Sequence, residues 1–244
     1  MAAGSLPLRA ELGQTAQALA EAGPLADRLQ AAGNIDFTEA RALQLRLLAE
    51  RGAHAQAPAP EELLGAARES GEPQMIALAV AAAARLLRAR NEPDQAQALL
   101  TELAQLDASR ADPYYASQLP ELVRSALALN QPTLAARLLD GVEPRFPLAA
   151  HALSACRAQL AQAAADYSQA ATLYAEAAEH WHEFGNQPER AYALLGHGRS
   201  LTALGHPGAD VPLTQARELF KSMGYQPALA ETDTLLEQTT AAAS

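Results

Sequence analysis

Asn91-Glu-Pro93-Asp-Gln-Ala96-Gln-Ala-Leu99-Leu100 decides how the chain is read, because it returns 39 residues later as Asn130-Gln-Pro132-Thr-Leu-Ala135-Ala-Arg-Leu138-Leu139. A different segment repeats with the same spacing: Gly185-Asn-Gln187-Pro188-Glu-Arg-Ala191 returns 39 residues on as Gly224-Tyr-Gln226-Pro227-Ala-Leu-Ala230. A fixed period of this length marks stacked supersecondary units. The punctuation says what the unit is. Gly and Asn tolerate the left-handed conformation that ends a helix, and Pro is pre-set for a helix's first turn. Between these marks apolar residues recur at three and four, the helical spacing.

Composition agrees. The 244 residues include 60 alanines and 39 leucines but only six valines and isoleucines together. Strands draw on β-branched residues and helices on Ala and Leu, so a substantial sheet is excluded. Aromatics are only 5%, which leaves small side chains to carry much of the packing. The predicted fold is all-α: a right-handed superhelical solenoid of helix pairs with a period of about 39 residues. Irregular helices at 6–21 and 24–32 occupy the start, residues 1–34. An array of about five pairs fills 35–226: 36–51 with 60–70, 73–90 with 93–107, 113–129 with 132–141, 147–164 with 166–184, and 188–204 with 210–223. A helix at 227–239 covers the exposed end, within a cap and frayed tail spanning 227–244. The segment Gly52 to Pro60 reads as the one clear loop. One pair of short helices cannot bury its apolar stripe alone. Stacking neighbours does so, and the small rotation per unit creates a concave inner surface.

Asp166-Tyr167-x-x-Ala170-x-x-x-Tyr174-x-x-Ala177 resembles the second helix of a tetratricopeptide repeat, and Gly198 with Gly205 matches the small residue and turn glycine of its first helix. The first-helix tryptophan and the Leu-Gly pair of that family are missing from most units. A narrower resemblance runs over 166–238. It is carried by Tyr174-Ala-Glu-Ala-Ala-Glu-His-Trp181, Phe184-Gly-Asn-Gln-Pro-Glu-Arg-Ala-Tyr-Ala-Leu-Leu195, Ala216-Arg-Glu-Leu-Phe220 and Met223-Gly-Tyr-Gln-Pro-Ala-Leu-Ala-Glu231. These segments are similar to the helical C-terminal regions of bacterial signalling proteins that carry a nucleotide cyclase or regulatory ATPase module, some of which end in a helix-turn-helix. The resemblance implies a regulatory, partner- or ligand-sensing role and carries over no catalysis.

Charge narrows the partners. Eighteen basic residues against twenty-eight acidic ones give −10, a surface that repels phosphate backbones, so nucleic acid is not an expected partner. The longest uncharged apolar run, Ile76 to Ala84, is far short of a membrane span, which takes roughly 20 residues. A single cysteine, Cys156, allows no internal disulfide and suits a reducing cytoplasm. It reads as a small buried side chain.

Chemistry is sparse. The sole lysine, Lys221, precedes Ser222 without the glycines of a phosphate-binding loop. Gly196-His197-Gly198 starts like a dinucleotide fingerprint, but Leu201 takes the third glycine's place, so close helix packing is the better reading. Glu179-x-x-His182 has the spacing of one arm of a di-iron site with no second arm. The reading there is a solvated face with Trp181 packed inward. No catalytic residue, cofactor or metal site is expected.

One constellation stands out. The first helices can be aligned on the residues that end them: Gly52, Asn91, Asn130, Ala165 and Gly205. Six residues earlier stand Arg46, Arg85, Arg124, Gln159 and Arg199. In tetratricopeptide arrays the first helices line the concave face, so stacking would set these guanidinium groups in a row inside the groove. Arginine grips carboxylates and phosphates through a rigid fork of donors. The expected partner is therefore a protein or peptide, acidic in character, or a small anionic ligand. The competing reading holds the same arginines in salt bridges, with Glu50 four residues from Arg46 and Glu121 three from Arg124.

Overall fold

The computed structural model describes residues 5–106 and 112–242. Within them the chain is all helical. The helices are α1 (Leu6–Glu11), α2 (Thr15–Ala31), α3 (Phe37–Glu50), α4 (Glu61–Ser70), α5 (Pro73–Ala89), α6 (Pro93–Leu103) and α7 (Pro113–Ala128). They continue as α8 (Pro132–Leu139), α9 (Pro147–Ala163), α10 (Tyr167–Phe184), α11 (Gln187–Ala203), α12 (Asp210–Met223) and α13 (Gln226–Ala242).

Prolines open α5, α6, α7, α8 and α9 at the position where a missing N–H costs nothing. The five residues used to align the first helices all lie in the left-handed region: Gly52 at φ 69°, Asn91 at 62°, Asn130 at 57°, Ala165 at 59° and Gly205 at 66°. Each terminates its helix by that turn of the backbone. Ala165 does so without glycine's freedom, and its carbonyl-side neighbour Asp166 then caps α10 by accepting from the Gln169 N–H at 3.1 Å.

The N-terminal region differs from the expected break at Gly23-Pro24. The break comes earlier, at Gly13 with φ 81°, and α2 runs through Pro24. Gly23 serves packing instead. A methyl group there would stand 2.7 Å from the Gln44 side chain, so its absence lets α2 lie close to α3. The loop after Gly52 contains a short 3-10 turn at His54–Gln56. It is pinned by Arg90, whose Nη2 donates to the carbonyls of Ala57 at 2.6 Å and His54 at 3.2 Å.

Helices pack against their neighbours in chain order. The first helices α3, α5, α7 and α9 touch one another directly, and α4, α6 and α8 lie against the first helix of their own pair. Alanine makes this possible. In α5, Ala77, Ala79 and Ala81 through Ala84 are all buried, so the helix is enclosed on nearly every side. Leucines Leu45, Leu86, Leu119 and Leu122 fill the remaining space and are fully buried, each contributing about 2 kcal/mol of transfer free energy.

The chain does not end where it is farthest from its start. Helix α13 packs on α12 and reaches α3, and α1 touches α11. The Thr15 hydroxyl donates to the carbonyl of Met223 at 2.5 Å, across 208 residues. The last helix thus covers more than an exposed end: it joins the two ends of the array. Phe220 and Tyr225, both buried, stack with ring centroids 6.3 Å apart where the ends meet. Expected helix ends near 107 and the tail from 243 lie outside the described residues.

Candidate ligand-binding site

The aligned register residues sit near the C-terminal ends of α3, α5, α7, α9 and α11. Four of the five converge. Arg85, Arg124, Gln159 and Arg199 line one cavity of about 440 Å³, together with Arg88, Tyr174, Glu189, Tyr192 and Glu231. Arg46 does not join them. It lines a separate cavity of about 480 Å³ at the opposite ends of the first helices, with Glu11, Asp36, Glu39 and Tyr114. Glu11 arrives there on α1. Burial raises its carboxyl above the ordinary value, and the positive charge of Arg46 partly offsets this.

The register arginines are not a stripe of free cations. Arg85 places Nη2 2.5 Å from Glu50 Oε2 and Nη1 2.9 Å from Glu121 Oε2. Its Nη2 also donates to the Tyr192 hydroxyl at 2.6 Å. Arg124 donates from Nε to Glu121 at 3.1 Å and from Nη2 to Glu189 at 2.8 Å. Its guanidinium lies 3.9 Å from the centroid of the Tyr192 ring, a cation–π contact. Arg199 pairs with Glu231 of α13. Glu50 does not pair with Arg46, four residues away, but crosses to α5 and α11. Of the two local pairs read from the sequence, only Glu121–Arg124 forms.

Glu121 is the hub. Burial pushes its carboxyl upward, but Arg85, Arg124 and Arg88 around it, with the Ser125 hydroxyl donating at 2.8 Å, bring it down to about 2. Glu50, with fewer cations around it, goes the other way: burial raises it and Arg85 only partly opposes this. Burial likewise drives the Tyr192 hydroxyl well above its ordinary value, so it stays protonated and donates to Glu50 Oε2 at 2.6 Å. Arg124 remains charged because Glu189 and Glu121 outweigh the cost of burial.

Arg85 keeps a buried Nε without a partner, and two more exposed arginines hold spare capacity. Arg88 donates from Nη1 to the Ser125 hydroxyl at 2.9 Å, and its nearest carboxylate, Glu121, stands at 3.7 Å. Arg199 has a buried Nε without a partner, and its side chain is 38% exposed beside a Glu231 that is 47% exposed. Arg85 and Arg88 also line an adjoining cavity of about 480 Å³ that extends past Ala128 and Pro227 toward Gly52, His54 and Asn91. Gln159 is buried, donates from Nε2 to the Pro120 carbonyl at 3.2 Å, and leaves Oε1 without a partner.

Sequence reasoning missed Arg88, Tyr192, Glu189 and Glu231. Arg88 carried a signal, since it lies three residues after Arg85 on the same helix. The others come from α11 and α13, and only closure of the array brings them to α5 and α7.

Other readings resolve in the packing. A methyl group on Gly196 would sit 2.3 Å from the Tyr174 ring, and one on Gly198 would sit 2.4 Å from Leu213, so both glycines serve close helix contact. Trp181 is buried, with His151 and Phe184 at its edges at 5.8 and 6.0 Å. Cys156 is fully buried, and burial raises its thiol. Among the described residues no group of three or more His, Cys, Asp or Glu could hold a metal ion, and no helix is long and apolar enough to cross a membrane. No family model, no curated protein and no solved structure matches the chain.

Proposed function

We propose that the chain is a non-catalytic, tetratricopeptide-like repeat module that holds a small anionic ligand in the cavity between α5, α7, α9, α11 and α13, and so serves a bacterial signalling or regulatory protein in the cytoplasm. In this reading the helix pairs wind as a right-handed superhelix whose one turn is closed by α13. The supporting observation is the convergence of four register residues, with Arg88, on a single bounded cavity of about 440 Å³. Joined ends suit a compact ligand better than a long segment threaded through an open groove. Ligand binding would stiffen the contact between α11 and α13 and so pass information along the array.

The adjoining cavity beyond Arg85 and Arg88 favours a second reading. A short acidic peptide could place its terminal carboxylate at the arginines and lay its chain toward His54 and Asn91.

Thermal unfolding with phosphate, succinate, malate and short acidic peptides tests both. A ligand present at 100 times its dissociation constant stabilises the folded state by about 2.7 kcal/mol. The expected outcome is a raised melting temperature that disappears in Arg88→Ala/Arg199→Ala. A shift that survives the double substitution, or none with any compound, sinks the proposal.

A further inference from the structure

Gln159 is the only uncharged side chain in the arginine register, and it holds a buried acceptor with nothing to accept. It is 7% exposed. Its amide orientation is fixed, because the Pro120 carbonyl can only accept and therefore takes the Nε2 donor at 3.2 Å. Oε1 is thereby turned away from Pro120, on a residue that lines the cavity, and has no partner. Buried side-chain oxygens are nearly always satisfied, and an exception in a cavity wall asks what completes it.

The charged groups divide the work. Arg85 is held by Glu50 and Glu121, and Arg124 by Glu121 and Glu189. Arg85 keeps only a buried Nε unpartnered, at 12% side-chain exposure, whereas Arg88 and Arg199 are more exposed, at 23% and 38%, and keep unused donors, so an anion belongs to them. Neither a carboxylate nor a fully ionised phosphate can satisfy Gln159 Oε1, since both offer only acceptors. Glu189 and Glu231 also line the cavity, and they favour a ligand that carries a hydrogen-bond donor beside its carboxylate.

We propose that the cavity takes a small carboxylate that also carries a hydroxyl or amino hydrogen, a hydroxy acid or amino acid, with Gln159 Oε1 accepting from that donor while Arg88 and Arg199 hold the carboxylate. This rests on the reading of the cavity as an anion site. Gln159 is then the residue that sets specificity, and the arginines set affinity.

Calorimetric titration of the full chain with succinate and malate, which differ by one hydroxyl, isolates the donor, with aspartate and inorganic phosphate as further probes. The expected result is that malate or aspartate binds about tenfold more tightly than succinate, the worth of one neutral hydrogen bond. In Gln159→Met, checked for intact helicity by circular dichroism, that preference should vanish while succinate binding stays. Should this variant fail to fold, the wild-type comparison decides alone. Equal binding of succinate, malate and aspartate overturns the donor assignment and leaves the anion site standing, and binding of phosphate only, which carries a donor O–H at neutral pH, overturns the choice of a carboxylate. A preference that persists in Gln159→Met overturns the role of Gln159. No binding by any of the four removes the anion site and this inference together.

Discussion

The hydroxyl of Tyr192 donates to Glu50 Oε2 at 2.6 Å across 142 residues of chain, tying α11 to the end of α3. That bond joins a half-buried hydroxyl to a buried carboxylate whose only other close partner among the described residues is Arg85. Tyr192→Phe keeps the ring beneath Arg124 and removes only the oxygen. Hydrogen bonds to charged groups contribute about 1.5–3 kcal/mol, so chemical denaturation should show a loss of that size. A change under about 0.5 kcal/mol would mean that Glu50 is satisfied without Tyr192.

Glu121 makes a larger demand. Removing one member of a buried ion network leaves the others uncompensated, at a cost of about 3–5 kcal/mol. Glu121→Gln should approach that loss at neutral pH, measured by urea unfolding, since three arginines then lack their shared carboxylate.

The same residue predicts an acid response. Its carboxyl sits at about 2 in the folded chain against 4.5 ordinarily. A lowered folded value contributes stability above the ordinary one, and that contribution fades as pH falls from about 4.5 toward 2. Glu50 is raised, so it takes up its proton earlier and contributes with the opposite sign at higher pH. The steep loss below pH 4.5 should therefore belong to Glu121 and flatten in Glu121→Gln. An unchanged acid limb in the variant would place the titration elsewhere.

Much of this was legible before any coordinates. The ends of five first helices follow from Gly52, Asn91, Asn130, Ala165 and Gly205, because a left-handed residue stops a helix wherever it occurs. The glycines Gly196 and Gly198 were legible as packing for a similar reason. The partners of the arginines were not, since Glu189 and Glu231 lie 65 and 32 residues from Arg124 and Arg199, and helical spacing speaks only of neighbours three and four apart. The break at Gly13 was hidden by Gly23-Pro24, which looked like punctuation but sits under Gln44. Arg46 lines a different cavity, beside Glu11 of α1, which helical spacing could not place there.

Glycine substitutions separate packing from propensity. Alanine is the better helix former by about 1 kcal/mol, and at Gly65 a methyl group meets nothing within 4 Å. Gly65→Ala should therefore raise stability by about 0.5–1 kcal/mol. Gly198→Ala places its methyl against Leu213, and overpacking of this kind costs about 1–3 kcal/mol. Opposite signs in thermal melts are the expected outcome. Stabilisation by both would show that α11 and α12 are not in tight contact.

Closure of the array can be read from hydrogen exchange. Ending the chain after Gly224 removes α13, which touches α3 as well as α12. Protection should drop in α3, far away in sequence, as well as in α12. A loss confined to α12 would be the behaviour of an open stack, in which each unit senses only its neighbours.

Joined ends have an evolutionary consequence. Open stacks lengthen by duplicating a unit, because another copy simply adds to the pile. Here one more hairpin would push Thr15 away from Met223 and Tyr192 away from Glu50, so growth by duplication would cost the contacts that tie α11 and α12 to α3 and α2.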